Sequence, residues 1–366
     1  PSFLTVLYEP LVPSDCVHFF EPFCLYGIFI KTCVAKQLIN YIIKYRIFLY
    51  NKYTTSGVLM KTGSTNLGYA CINMTLAETE KAIVGRTCRK ATFLKKGLPH
   101  VGELFEQNLL AVRRILPWNV KNNISVYRMS SSMAPWCSEY RLEDLPNWNA
   151  CKSLLDQCGK FAIENDIRLS FHPGAFTVLA AKNQSVVEKS LHELEIHGKI
   201  MDYMHQPRSP MAKINIHVGG AYGDKQAAAD RWLSNSSRLS NAVLSRLTLE
   251  NDDRPNLYST RELYELFYSR SGIPIVFDYH HHQCHPGQDD EKTALHLAAS
   301  TWAGHKPCTH YSETAQVDNP KAVFRAHSKY VSGYINPHGL DIDVVIEAKA
   351  KELAVLRYRG LHEKNK

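Results

Sequence analysis

Seven side chains of the kind that bind divalent metals stand where apolar runs end in this sequence: His172, His217, Glu250, Asp278, His281, His310 and Glu347. The amide of Asn73 closes a seventh run in the same way. A lone histidine at such a place is more often a satisfied structural residue, and a lone carboxylate often caps the next helix. Four histidines and three carboxylates on six successive runs are not explained that way. Carboxylates brought together repel unless cations neutralise them. Mixed imidazole and carboxylate donors suit Zn, Mn or Fe better than Ca or Mg. There are more donors than one ion needs, so a cluster of two or three divalent ions is the economical reading. Such ions generate hydroxide at neutral pH and stabilise the attacking and leaving oxygens of a phosphodiester displacement. The same donors would polarise a sugar carbonyl, which makes a metal-dependent sugar isomerase the competing enzyme. A metal-stabilised interaction scaffold is a third reading, but it leaves the donors without a task.

The elements that must position these residues are short apolar runs: 67–73, 124–130, 167–173, 213–219, 246–252, 273–280, 307–313 and 343–349. Helical patterns with three- and four-residue apolar spacing lie between them at 104–116, 148–165, 185–204 and 259–270. Eight strands alternating with helices predict a closed (β/α)₈ TIM barrel, whose strand ends converge on one rim where active sites are built. An open doubly wound sheet is second, since no G-x-G-x-x-G or Walker-type loop is present. The histidines at 280–282 stand at and just past the end of the sixth run. Alternation along a strand keeps all three from reaching one ion.

Charge and composition narrow the partner. The formal charge is +8, from 43 basic and 35 acidic residues, a mild positivity compatible with a phosphate backbone. Arg128, Lys225, Arg254, Arg325, Lys349 and Lys351 stand near the expected rim and favour nucleic acid over sugar. The 10 cysteines form no CxxC pair and read as reduced thiols of an intracellular protein. Residues 1–59 are crowded with Phe, Tyr, Ile, Lys and Asn, and read as upstream sequence translated in frame, with a single barrel domain over 60–366. The run Val17–Ile30 is too short to span a membrane and contains Glu21 and Pro22, so no membrane partner is expected.

The blocks GYACINMTL (68–76), FHPG (171–174), HVGGAYGDK (217–225), LENDD (249–253), FDYHHH (277–282), THYSE (309–313), AHS (326–328) and VIEAKAKE (345–352) resemble, in order and spacing, the signature of the UV damage endonucleases. That family is similar in barrel and metal chemistry to endonuclease IV and to the xylose isomerase-like barrels. The resemblance implies hydrolysis of the phosphodiester 5′ of a pyrimidine dimer in double-stranded DNA, with an abasic-site endonuclease of the endonuclease IV type as the alternative. It implies a monomer with a centre of two or three divalent ions: manganese first, with magnesium, zinc or cobalt as alternatives. In that pattern Glu250 bridges two ions, His172 and His217 complete one site, Asp278, His310 and Glu347 form the second, and His281 and His327 belong to the third. Glu250, His217 and Lys225 would carry catalysis, while Tyr69, Asn73, Arg128, Ala175 and Phe176 would meet DNA. His282 stands behind the ligands and His280 is a bystander.

Four departures from the family pattern matter. Ala175 and Phe176 replace a Gln-Tyr pair that the family wedges into DNA at the lesion. Phe176 can still stack on a base, whereas Ala175 can neither fill space nor hydrogen-bond. Glu139 replaces a histidine and is a candidate metal ligand or ordinary helix-start residue. Cys308 replaces a lysine and is either a thiolate ligand or a small buried filler. Lys329 follows AHS where an acidic residue is usual.

Overall fold

The structure is a computed structural model that describes residues 65–363; the reading of residues 1–59 as upstream sequence lies outside them. Eight strands form where apolar runs were expected: β1 (Asn66–Ala70), β2 (Val126–Met129), β3 (Arg168–Phe171), β4 (Ile214–Ile216), β5 (Leu247–Glu250), β6 (Ile275–Val276), β7 (Cys308–Tyr311) and β8 (Asp343–Ile346). All are parallel, in the order β6-β5-β4-β3-β2-β1-β8-β7. The ring closes between its end strands through a parallel bridge from Asp278 to His310, where the His310 amide donates to the Phe277 carbonyl at 2.9 Å. Two candidate ligands therefore sit at the seam itself. Gly68 is required at the β1–β2 contact, since a Cβ there would lie 2.0 Å from the Val126 carbonyl oxygen.

The core has two parts, as a barrel demands. Ala70, Val126, Val276, Trp302, Cys308 and Val345 come from five strands and a flanking loop and fill the barrel interior. The large core lies outside it, between the strands and helices such as Lys90–Lys121, Trp148–Glu164 and Gln184–Tyr203. The first of these far exceeds the expected 104–116 and bends at Gly97 (φ 66°, ψ −158°). The stretch expected at 259–270 is helical but broken, with a π-turn over Tyr264–Tyr268.

One expectation is corrected at the sixth strand. β6 ends at Val276, and Tyr279–Cys284 is a short helix whose first turn is capped by Asp278, which accepts from the His281 amide at 2.8 Å. The three histidines thus fan out at about 100° per residue around a helix rather than alternating on a strand. Among the described residues, no helix is long and apolar enough to cross a membrane.

Candidate metal centre

The strand ends bring three overlapping donor sets together: His172–Glu250–His310, His217–Glu250–His281 and Glu250–Asp278–His310–Glu347, each with its ligand atoms within 4.8 Å of one another. Glu250, at the end of β5 and 1% exposed, belongs to all three. Its Oε2 lies 3.0 Å from His172 Nε2 and 3.0 Å from His310 Nδ1. Its Oε1 lies 3.3 Å from His281 Nδ1 and 4.0 Å from His217 Nε2. His310 Nδ1 is also 3.1 Å from Glu347 Oε1. The two edges of one carboxylate thus sort the imidazoles. The sorting differs from the one the resemblance implies: His172 goes with His310, and His217 with His281. His327 stands at the margin, 3.8 Å from Glu347 Oε2.

These residues fit cations. Glu250 Oε1, Asp278 Oδ2 and His310 Nδ1 are buried and form no hydrogen bond, although other polar atoms lie close by. Buried polar atoms left in this way cost stability unless something binds them. Within the protein itself, charge is balanced by protons. Burial opposes ionisation of Glu250, but His310, His217 and His172 hold its carboxyl well below the usual range. Burial pulls His172 down to about 4, against the pull of Glu250. Burial also opposes charge on His217, yet Glu250 and Asp252 push it up to about 9. His281 is likewise raised well above its usual value by Asp278 and Glu250 against burial.

The remaining candidates do not belong to these donor sets. Tyr69 and Asn73 are both 0% exposed. The Asn73 amide donates to the Tyr69 hydroxyl at 3.0 Å, the hydroxyl donates to Asn119 Oδ1 at 2.8 Å, and Asn73 Oδ1 caps the helix Met74–Thr79. They brace the rim, with their polar atoms bonded within the protein. Arg128 is on β2 rather than in a loop, and its guanidinium is bonded to Glu347, whose carboxyl it holds well below the usual range against burial. Lys225 begins the helix Lys225–Ser236 and donates to Glu262 at 2.5 Å and to the Pro255 carbonyl at 3.4 Å, with the Tyr258 ring beneath it. Glu139 is ion-paired with Lys189 on the surface. His282 rests against Phe277, and Cys308 is buried in the barrel interior. Ala175 and Phe176 are exposed, Phe176 by 92%.

Sequence reasoning missed the residues that hold the ligands. Asn215 on β4 donates its amide to Glu250 Oε2 and accepts from Thr248 Oγ1 at 2.8 Å. Asn251 Oδ1 accepts the Asp278 amide at 2.8 Å, and Asp252 Oδ1 lies 3.1 Å from His217 Nδ1. Lys213, fully buried just before β4, places Nζ 2.8 Å from His310 Nε2, and burial pulls its ammonium down to about 8. Nε2 of His310 thus faces Lys213, while Nδ1 faces the carboxylates of the cluster. The signal was a polar residue alternating into an apolar strand, as in KINIH.

Fold and site together define a TIM-barrel protein with a candidate multi-metal centre at the carboxyl ends of its strands. Residues 65–365 match the family described as UV-endonuclease UvdE, and the chain belongs to that family. It is 35% identical over 307 residues to the UV-damage endonuclease of Schizosaccharomyces pombe, an alignment covering 79% of this chain and 49% of that protein. The chain thus spans about half the length of that relative. It is 32% identical over 264 residues to a UV DNA damage endonuclease of Bacillus cereus, covering 69% of this chain and 80% of the other. The crystal structure of SacUVDE superposes with a TM-score of 0.72 at 28% identity, over 82% of this chain and 99% of that one.

Proposed function

We propose that this protein is a DNA endonuclease that hydrolyses the phosphodiester 5′ of ultraviolet photoproducts, acting as a monomer with two or three divalent ions, manganese foremost. The observation that carries the reading is the sharing of one buried carboxylate, Glu250, by three donor sets in a member of this family. Bound divalent ions supply nucleophile activation at neutral pH and charge neutralisation at the scissile phosphate. The protein's own part is positioning. Asn215 orients Glu250, Asn251 fixes the Asp278 backbone, and Lys213 sets which His310 nitrogen faces the cluster. Phe176 stacks on a base loosened by the lesion, where unstacking costs least. The sugar-isomerase alternative loses its support, because the matched relatives are UV damage endonucleases.

The experiment is nicking of plasmid by metal-depleted protein resupplied with Mn²⁺, comparing irradiated, unirradiated and abasic-site DNA. Cleavage confined to irradiated DNA is the expected outcome. Equal cleavage of all three would overturn the lesion preference, and no cleavage of any would overturn the nuclease reading. Installing Ala175→Gln with Phe176→Tyr is expected to raise discrimination for irradiated over unirradiated DNA; unchanged discrimination would refute the role given to the pair.

A further inference from the structure

We propose that the loop between β7 and β8 is a preformed finger that presses Val323 and Phe324 into duplex DNA from the side of the metal centre opposite Phe176. This rests on the DNA-endonuclease reading above and adds a contact surface to it. The first observation is exposure of large apolar side chains on a rigid excursion. Val317, Val323 and Phe324 are 63%, 63% and 43% exposed. The loop is zipped at its base by an antiparallel bridge from Thr314 to His327 and by the Ser328 amide donating to the Glu313 carbonyl at 2.8 Å. Towards the tip, the Ala322 amide donates to the Asn319 carbonyl at 2.8 Å, and the Ala326 amide to the Val323 carbonyl at 2.9 Å. Gln316 Nε2 ties the two sides together through the Ala322 carbonyl at 3.0 Å. This well-bonded loop presents Val317 and Val323 outward, and Phe324 keeps one face exposed while its ring lies 5.5 Å from that of His280.

The second observation is place. In the strand order, β3 and β7 are separated by β2, β1 and β8, half of an eight-membered ring. The loop bearing Phe176 and the loop bearing Val323 therefore rise on opposite sides of the mouth that holds Glu250. The finger is also joined to the site: His327 lies at its base, and the Phe324 carbonyl is 3.2 Å from His280 Nε2. The third observation is charge. The apolar pair is flanked by Lys321, which is exposed, and by Arg325, whose side chain is 38% exposed beside Asp253. Cations for phosphates beside apolar surface for bases or sugars suit a duplex. A protein docked on the same tip would stand over the centre and exclude substrate.

The test uses the full chain with Val323→Ser, Phe324→Ser and the pair, each also carrying Glu250→Gln so that DNA is bound and not cut. Affinity is read by fluorescence anisotropy on irradiated and unirradiated duplexes, and unstacking by 2-aminopurine placed beside the lesion. Each single change is expected to weaken binding of the lesion duplex, the pair by about tenfold, and to reduce the 2-aminopurine rise. The same finger changes in the protein with Glu250 intact should leave the thermal shift given by Mn²⁺ alone unaltered. Unchanged affinity in all three variants would overturn the finger. So would an effect confined to Phe324→Ser together with a smaller Mn²⁺ shift, which would make that residue a support for His280. If the protein with an intact finger has no preference for lesion DNA and its Glu250 form does not nick it, the DNA reading fails as a whole.

Discussion

This barrel buries ionic groups at both ends, and the two clusters are built on opposite plans. At the amino ends of the strands, Arg168 donates to Asp343 Oδ2 at 2.9 Å and to the carbonyls of Met211, Lys306 and Pro210 at 2.9, 2.9 and 3.1 Å. Lys306 adds a second cation, 3.0 Å from Asp343 Oδ1. The charges there are neutralised by the chain itself. At the carboxyl ends, Arg128 pairs with Glu347 alone, Glu250 Oε1, Asp278 Oδ2 and His310 Nδ1 form no hydrogen bond, and the positive charge around Glu250 comes from imidazolium groups that titrate. A closed network rigidifies, whereas an open one has capacity for something exchangeable. The contrast distinguishes a stabilising cluster from a binding one within a single fold.

The sharpest way to break this contrast is to remove the shared carboxylate. Glu250→Gln is nearly isosteric, and it removes the charge that all three donor sets share. Nicking of irradiated plasmid should fall by on the order of 10³-fold or more, because groups acting as a unit fail together. The circular dichroism spectrum should be unchanged. Surviving activity would mean that the three sets are not one centre. The matching change at the other end is Asp343→Ala, which leaves Arg168 buried without its carboxylate. Urea unfolding should show a loss of about 3–5 kcal/mol. That loss should be the same with and without Mn²⁺. A Mn²⁺-dependent loss would mean that the two ends are coupled.

The same contrast explains what the sequence disclosed. Seven donors were legible because each ends an apolar run, and a parallel barrel turns run ends into one rim. Pairing across the rim was not legible. His172 meets His310 because the ring closes through Asp278 and His310, and closure is a long-range event that no local pattern marks. The helix Tyr279–Cys284 was hidden because YHHHQC has no apolar period; it is started by the Asp278 cap. Arg128 looked like a loop cation for DNA, yet its partner is Glu347, 219 residues away. The bracing of Tyr69 and Asn73 was hidden because their shared hydrogen bonds, closed by Asn119, appear only once β1 lies against a helix.

Smaller changes sharpen the contrast further. Asn215 touches Glu250 and Thr248 and does not belong to a donor set. Asn215→Ala should therefore weaken Mn²⁺ binding by about 10–100-fold, as loss of a ligand's supporting partner does. Global stability measured without metal should change far less than in Asp343→Ala. Calorimetric titration of Mn²⁺ into metal-depleted protein measures the first quantity directly. Unchanged affinity would show that the Glu250 carboxylate is oriented by the imidazoles alone.

The mildest expected effect is in protons, and it separates two histidines of the same centre. His172, pulled down to about 4 by burial, is already neutral at pH 7 and has no proton to lose. His217, raised from 6.5 to about 9 by Glu250 and Asp252 against burial, still carries one. A ligand nitrogen must be deprotonated, so metal binding competes with that proton. Because the folded value lies above the unfolded one, His217 contributes stability to the metal-depleted protein that is complete below about pH 6.5. That contribution is lost as pH rises through about 9. The metal-bound protein lacks the proton and lacks the loss. The Tm gap between Mn²⁺-loaded and metal-depleted protein should therefore widen from pH 6.5 to 9. Replacing His217 by Gln should reduce this dependence to the part that His281 carries, whereas replacing His172 should leave its slope. Equal slopes in both variants would mean that the proton displaced by metal resides elsewhere in the cluster.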